Sequence, residues 1–133
     1  MEIGDCTSIG SLSHIDRDVK IGSSCRIQGM VYLPPGTVIG DNVFIGPGVI
    51  LTNDPFPQSD KLKGVTIKDN AIICAAAVLR PGITIGRDSV VGMGAIVTRD
   101  VKPGSVVYGS PATQRYDIEE YKMRQENWVN QLR

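Results

Sequence analysis

The stretch from residue 19 to residue 51 reads VKIGSSCRIQGMVYLPPGTVIGDNVFIGPGVIL, and a large aliphatic residue stands at every sixth position in it. The same step extends back to Ile3, stops across residues 52–66, and resumes at Ile67. The fifteen positions of this series are all Ile, Leu or Val: Ile3, Ile9, Ile15, Ile21, Ile27, Leu33, Ile39, Ile45, Leu51, Ile67, Ile73, Leu79, Ile85, Val91 and Val97. A fixed short period indicates one small unit stacked many times.

The residues around each aliphatic position also repeat. Gly often follows it, as at Gly22 and Gly40, and a small or β-branched residue often lies two positions before it, as at Val31 and Val43. Because side chains alternate between the two faces of a strand, these two residues point to the same side. We therefore expect both inside and the residue between them outside, with Gly permitting the turn that follows.

A six-residue unit has room for one short strand and one turn. Three units would close a triangular coil of about 18 residues, and stacked coils would form parallel sheets. The sequence therefore predicts an all-β fold, a parallel β-helix of about five coils. An antiparallel sandwich is the alternative, but its turns usually recur at about 8–12 residues with varied spacing.

Two segments depart from the repeat. Residues 53–64 read NDPFPQSDKLKG, whose two prolines and polar side chains make a poor strand. We expect a protruding loop there, and a long loop in a tight repeat is usually functional, although a tolerated insertion is the alternative. Residues 102–104, Lys-Pro-Gly, end the repeat.

A helix is predicted at the C-terminus. Asp117 is a candidate N-cap, with Glu120 three residues later. Four apolar residues lie near one helical stripe, namely Ile118, Tyr121, Trp128 and Leu132. We expect a β-helix domain at residues 1–112 and a helix within 113–133 that packs on or near the last coil, with Trp128 used for packing rather than ligand binding.

Composition excludes several function classes. The 133 residues include 14 Lys and Arg and 14 Asp and Glu, and this zero net charge argues against nucleic-acid binding. No apolar run is long enough to span a membrane, and the first residues do not resemble a secretory signal. The cysteines Cys6, Cys25 and Cys74 form no CxxC pair, so we expect reduced thiols in the cytoplasm and no structural zinc. A single histidine, His14, excludes a site of three imidazoles from one chain, and no metal is expected.

Two motifs after the loop carry a family resemblance. Residues 92–101 read GMGAIVTRDV and residues 109–112 read GSPA. Together with the hexads and the loop, they resemble the end motif of the hexapeptide-repeat acyltransferases, over residues 3–115. The resemblance implies left-handed coils, a homotrimer, and acetyl-CoA as co-substrate in a groove between neighbouring subunits.

The resemblance also implies residues that bind CoA. Backbone groups of Ala75 and Met93 would contact the cofactor, as would Thr98 and Arg99, with Arg115 near the phosphates. Pantetheine is an extended amide chain that can pair with backbone groups, and a guanidinium suits phosphate oxygens. The alternative for both arginines is a solvated surface charge.

The loop distinguishes two groups within the family. Sugar O-acetyltransferases of this fold carry a loop His before a Pro as general base, whereas here Asp54 precedes Pro55. Instead, Gln28 and Tyr32, followed by Thr52-Asn53, resemble the N-acetyltransferases of nucleotide-linked amino sugars. This likeness implies that Gln28 and Tyr32 bind substrate and that Asn53 is catalytic. Relative to that group, the chain is expected to lack about one coil at its N-terminus.

The sequence therefore favours transfer of an acetyl group to the amine of an amino sugar. A neutral amine is already a strong nucleophile, so the Asn53 carbonyl needs only to accept its N–H and orient it. Asp54 is a candidate base or ammonium partner, or else a turn residue, and His14 is a candidate acid or base that faces outward. The alternatives are a sugar O-acetyltransferase with His14 as base, and a non-catalytic trimeric scaffold.

Overall fold

Fifteen two-residue strands alternate with turns through the repeat, in a computed structural model that describes residues 1–131. In chain order the strands are β1 (Glu2–Ile3), β2 (Ser8–Ile9), β3 (His14–Ile15), β4 (Lys20–Ile21), β5 (Arg26–Ile27), β6 (Tyr32–Leu33), β7 (Val38–Ile39), β8 (Phe44–Ile45), β9 (Ile50–Leu51), β10 (Thr66–Ile67), β11 (Ile72–Ile73), β12 (Val78–Leu79), β13 (Thr84–Ile85), β14 (Val90–Val91) and β15 (Ile96–Val97). Every third strand joins the same parallel sheet.

The three sheets are the faces of a triangular prism. Face A contains β1, β4, β7, β10 and β13, face B contains β2, β5, β8, β11 and β14, and face C contains β3, β6, β9, β12 and β15. Equivalent hexad positions pair directly, so Ile9 lies opposite Ile27 and Ile27 opposite Ile45. This confirms the predicted fold class, a left-handed parallel β-helix of about five coils.

The core is the single column of inward aliphatic side chains. Ile27, Ile45 and Ile73 are buried, as the hexad pattern predicts. Ile3 and Ile9 are partly exposed, because the structure places no strand before the first coil. Burial of the column is the main stabilising contribution, because each coil removes apolar surface of its neighbours from water.

The corner between faces A and B carries a ladder of polar side chains. One residue of each turn there has a positive φ, for example Asn42 at 55° and Asn70 at 63°. Asn42 Nδ2 donates to Asn70 Oδ1 at 2.9 Å, and Asn70 Nδ2 donates to Asp88 Oδ1 at 3.1 Å. Asn and Asp suit this corner because they tolerate the left-handed region and link successive coils.

The loop at residues 53–64 leaves the prism at the end of face C, as predicted. The Lys63 N–H donates to the Asn53 carbonyl at 2.8 Å and closes the neck of the loop. The chain then re-enters the core at Val65, which is fully buried. Phe56, near the loop's outer end, is exposed.

A β-hairpin follows the last coil, and the sequence did not predict it. It consists of β16 (Ser105–Gly109) and β17 (Ala112–Asp117). β16 extends face B beside β14, and β17 pairs with it in the antiparallel direction. The expected domain boundary at residue 112 therefore falls inside this hairpin.

The predicted helix is α1 (Ile118–Gln131). Its start is confirmed, because the Glu120 N–H donates to Asp117 Oδ1 at 3.0 Å. Ile118 and Tyr121 are half-buried, but Trp128 is 60% exposed, so the predicted packing of Trp128 is wrong within this chain. The first turn alone covers the prism, and Leu132 lies outside the described residues. Within residues 1–131, no helix combines the length and apolarity that a membrane crossing requires.

Candidate functional site

Most of the predicted site residues lie around face C. Tyr32 and His14 belong to its outward row, and the two corners beside it carry the others. Gln28, Ala75 and Met93 stand at the corner between faces B and C, and Asn53, Asp54, Thr98 and Arg99 follow strands of face C. Arg115 lies apart from them, in the hairpin strand β17.

A small polar cluster surrounds His14 on the first two coils. His14 Nε2 is 3.8 Å from Asp16 Oδ2, and the rings of His14 and Tyr32 meet edge-on with centroids 5.5 Å apart. The Tyr32 hydroxyl is 3.5 Å from the same Asp16 oxygen. Partial burial, together with the Asp16 carboxylate, raises the pKa of Tyr32. Tyr32 therefore stays a neutral hydrogen-bonding group near neutral pH.

Asn53 is anchored at the neck of the loop. Its Nδ2 donates to the Pro35 carbonyl at 3.0 Å. Thr52, just before it, donates its hydroxyl to the Leu79 carbonyl at 2.7 Å. Because a carbonyl can only accept, the Asn53 amide nitrogen must face Pro35, and Oδ1 is left as an acceptor for a ligand.

Asp54 organises the inside of the loop. Its carboxylate accepts the Ser59 N–H at 2.7 Å, the Ser59 hydroxyl at 2.7 Å and the Phe56 N–H at 3.1 Å. The bonds from Ser59 are the main reason that the pKa of Asp54 is lowered. A carboxylate with a lowered pKa is a weaker base, so this geometry favours a structural role for Asp54 over the predicted basic one.

Ala75 and Met93 are stacked in successive turns of one corner. The Gly94 N–H donates to the Ala75 carbonyl at 2.9 Å, which leaves the Ala75 N–H as the backbone group available to a ligand. Met93 belongs to the last turn of this corner, and its side chain is exposed. That the two residues offer backbone groups to an extended amide chain stays a prediction.

A groove of about 520 Å³ separates this corner from the hairpin. It is lined by Met93 and Gly94 on one side and by Tyr108, Gly109 and Ser110 on the other. Arg115 donates from Nε and Nη2 to the Tyr108 carbonyl at 3.2 and 3.1 Å, and its guanidinium carbon lies 4.8 Å from the centre of the Tyr108 ring. The remaining N–H groups of this fixed fork can bind phosphate.

Arg99 stands near the open end of the prism, beside a smaller groove of about 250 Å³. This groove is bounded by the last core residues, such as Val97 and Val107, and by the hairpin residue Ala112. Thr98 directly precedes it and is half-buried. Arg99 is thus exposed at the end of the coils.

The structure does not bring these residues into one site within a single chain. His14 belongs to the first coil and Met93 to the fifth, so they are separated by roughly 19 Å at about 4.8 Å per coil. Asn53 and Ala75 also lie at opposite corners of face C, on the order of 15 Å apart. Within one chain, a ligand held at Ala75 and Met93 would have to span this distance to reach Asn53.

Two family models match the repeat. The model described as bacterial transferase hexapeptide (six repeats) covers residues 18–53, and the model described as hexapeptide repeat of succinyl-transferase covers residues 64–99. Together they span more than half of the chain and leave out the loop. The chain belongs to the hexapeptide-repeat family of bacterial transferases. No curated protein sequence matches it significantly.

Solved structures of other proteins support the assignment of this transferase to the hexapeptide-repeat family. An acetyltransferase with hexapeptide repeats from Vibrio cholerae, in complex with acetyl coenzyme A, is 26% identical with a TM-score of 0.78, over 88% of this chain and 70% of that one. WeeI from Acinetobacter baumannii is 29% identical with a TM-score of 0.68, over 85% and 54%. Serine acetyltransferase from Neisseria gonorrhoeae is 26% identical with a TM-score of 0.72, over 79% and 40%.

Sequence reasoning missed a further groove of this transferase, over face A. The face A groove has a volume of about 750 Å³ and lies over the outward side chains of Val38, Thr66 and Thr84. Its basic residues are Lys68, Arg87 and Lys102. One signal was visible, because Lys68 directly follows the hexad residue Ile67, whereas Gly follows the other four hexad residues of face A. Among residues 1–131 no cluster of three metal-ligating side chains occurs.

Proposed function

We propose that the protein transfers an acetyl group from acetyl-CoA to the amine of a small amino sugar, one that is linked to a nucleotide. Family membership and the acetyl coenzyme A complex of the Vibrio cholerae relative support the cofactor. The observation that carries the choice of an amine is the anchored Asn53 amide, which points an acceptor oxygen away from Pro35.

The chemistry requires little from the protein beyond orientation. The neutral amine nitrogen attacks the thioester carbonyl carbon, so that a C–N bond forms and the C–S bond breaks. Asn53 Oδ1 accepts one N–H and aims the nitrogen lone pair. The proton lost from the nitrogen passes to the leaving thiolate or to water, and the products are an amide and CoA. Since Asp54 is a weak base in its loop, an amine is a better acceptor here than a hydroxyl.

We further propose that the active protein is a homotrimer whose neighbouring copies complete the site. Asn53 of one copy would meet the acetyl-CoA held along Ala75 and Met93 of the next. The outward row of face C supports contact between copies, because its apolar side chains Ile50 and Ile96 are exposed at 42% and 37%. Tyr32 and Gln28 would then bind the acceptor beside this contact.

A cytoplasmic location fits the proposal. Cys6, Cys25 and Cys74 are free thiols in the structure, and such thiols persist in reducing compartments. Expression of the full chain followed by cell fractionation would check the location.

Thiol release tests the proposed function. The purified protein would be incubated with acetyl-CoA and either aminodeoxy sugar nucleotides or the matching hydroxyl sugars, with the released CoA thiol measured against time. We expect release with one or more amines and none with the hydroxyl partners. Activity confined to hydroxyl acceptors would reject N-acetylation, and no release together with no CoA binding would favour a scaffold.

One observation favours O-acetylation as a second candidate. His14 lies 3.8 Å from Asp16, and an imidazole beside a carboxylate can act as general base toward a hydroxyl. His14→Ala separates the two candidates. It abolishes activity if His14 is the base, and leaves N-acetylation close to the wild-type rate if Asn53 orients an amine.

A further inference from the structure

The later part of the repeat carries a surplus of positive charge. Residues 61–102 contain seven Lys or Arg and three Asp, with no Glu, whereas the whole chain is neutral. The rest of the chain is correspondingly acidic. Three of the seven cations, Lys68, Arg87 and Lys102, line the face A groove from its wall at the corner between faces A and B. Asp69 and Asp100 line the groove as well, so its net charge is +1, with the three cations gathered on one wall.

The acidic residues of this groove are already engaged with the backbone. Asp69 Oδ1 accepts the Asp41 N–H at 2.8 Å, and Asp100 Oδ1 accepts the Thr84 N–H at 2.8 Å. Arg87 Nε also lies 3.3 Å from Asp88 Oδ2, which belongs to the polar ladder. The Asp69 and Asp100 bonds hold neighbouring coils together, whereas Arg87 and Asp88 pair within one turn. The ammonium groups of Lys68 and Lys102 appear in no ion pair among residues 1–131.

The groove offers hydroxyl donors beside the cations. Thr66 and Thr84 project outward from adjacent strands of face A and are half-buried in the groove floor. Lys68 and Lys102 lie on one wall, two coils apart, so their charges are separated by roughly 10 Å along the axis. Such a span suits a group larger than a single phosphate. The groove volume of about 750 Å³ is within the usual range for a small-molecule site.

We propose that the face A groove binds a phosphate-bearing small molecule, with Lys68, Lys102 and Arg87 contacting the phosphates and Thr66 and Thr84 donating hydrogen bonds. The phosphates could belong to a nucleotide-linked acceptor or to the far end of CoA. The choice between these two sources rests on the proposed function, whereas binding of phosphate itself is tested without acetyl transfer. The site is separate from Arg115, which lies in the hairpin beyond face B.

Calorimetry with inorganic pyrophosphate and the full chain tests the proposal. We expect binding that weakens as salt is added, because the contacts are with exposed charges. The double variant Lys68→Ala/Lys102→Ala should weaken binding by about 10-fold or more. Lys20→Ala is the matched control, since Lys20 lies on the same face in the second coil, outside the groove. It should change affinity by less than about 2-fold.

Two further measurements keep the result unambiguous. Amide chemical shifts of Thr66 and Thr84 should move on addition of pyrophosphate and stay in place for the double variant. Thermal unfolding should show that this variant is still folded. No pyrophosphate binding, equal binding by the double variant, or an equal loss in Lys20→Ala would overturn the proposal.

The source of the phosphate follows from two arms of the same experiment. Uridine diphosphate and CoA would each be titrated into the wild type and the double variant. Loss of affinity for uridine diphosphate alone assigns the groove to the acceptor, and loss for CoA alone assigns it to the cofactor. If the double variant binds uridine diphosphate, CoA and pyrophosphate as tightly as the wild type does, the groove is not a phosphate site. Thiol release from acetyl-CoA is measured separately, so failure of the proposed function is distinguished from failure of this site.

Discussion

Asn53 Nδ2 donates to the carbonyl oxygen of Pro35, 3.0 Å away in the turn one coil earlier. This bond ties the neck of the loop to the prism. It also fixes the direction of the amide, because a carbonyl has no proton to give in return. The Asn53 side chain is therefore both a structural link and a preorganised acceptor for a substrate N–H.

Asn53→Ala should lower kcat for amine acetylation by about 10- to 100-fold, because it removes the group that aims the nucleophile. Initial rates of thiol release at saturating acetyl-CoA measure this effect. Thr52→Ala is the matched control, since Thr52 bonds to the Leu79 carbonyl. It should reduce stability by about 1 kcal/mol and leave kcat closer to wild type. Full activity of Asn53→Ala would remove Asn53 from the mechanism.

Arg115→Ala should raise KM for acetyl-CoA by about 10-fold, because a charged hydrogen-bond donor to phosphate is lost. Arg115→Lys should not restore it, because an ammonium cannot reproduce the guanidinium fork that also holds the Tyr108 carbonyl. Arg124→Ala is the control, as this arginine bonds to Glu120 on the helix. An unchanged KM in Arg115→Ala, measured over a range of acetyl-CoA concentrations, would place the phosphates elsewhere.

Ile39→Ala should lower the free energy of unfolding by about 2–5 kcal/mol, because Ile39 is buried in the inward column. Val38→Ala, the neighbouring position on β7, should cost less than about 1 kcal/mol, because Val38 points outward and is 41% exposed. Urea denaturation followed by circular dichroism measures both. Similar losses for the two variants would contradict the assignment of inward and outward positions.

Asn70 allows the positive-φ turn and the ladder to be tested separately. Asn70→Ala removes two hydrogen bonds and keeps the Cβ at a φ of 63° without the polar amide that favours this conformation. Asn70→Gly removes the same bonds but tolerates that φ. We therefore expect Asn70→Ala to melt at a lower temperature than Asn70→Gly, by an amount equivalent to about 1 kcal/mol. A reversed order would show that backbone conformation does not limit this corner.

Asp54 gives the loop a dependence on pH. Its lowered pKa means that the folded loop favours the ionised carboxyl. The stabilisation is therefore fully present above the ordinary carboxyl pKa of about 3.9, and is lost as pH falls through the lower value. The Ser59 amide proton shift should titrate with a midpoint below that ordinary value.

Ser59→Ala provides the comparison for this titration. It removes the hydroxyl bond to Asp54, so the pKa of Asp54 should move back toward its ordinary value. The amide proton of residue 59 reports this titration, and its midpoint should lie at a higher pH in the variant than in the wild type. Equal midpoints would mean that the hydroxyl does not contribute to the lowered pKa.

The hexad pattern predicted the prism because every six-residue unit places its inward side chain in the core in the same way. Each inward residue pairs only with its equivalents in adjacent coils, as Ile27 does with Ile9 and Ile45. The end of the chain was harder to predict. The hairpin strand β17 alternates less clearly, and Trp128 was expected to pack although the helix carries it beyond its own prism. The face A groove was missed because Lys68 and Lys102 are distant in sequence and share one wall only through the stacking of the coils.

The structure of the protein crystallised with acetyl-CoA tests the central claim most directly. The account predicts that the pantetheine chain follows Ala75 and Met93 of one copy, with its thioester beside Asn53 of a neighbouring copy. Acetyl-CoA bound at a site remote from Asn53 in every copy of the assembly, or a protein that stays free of acetyl-CoA at saturating concentration, would contradict it.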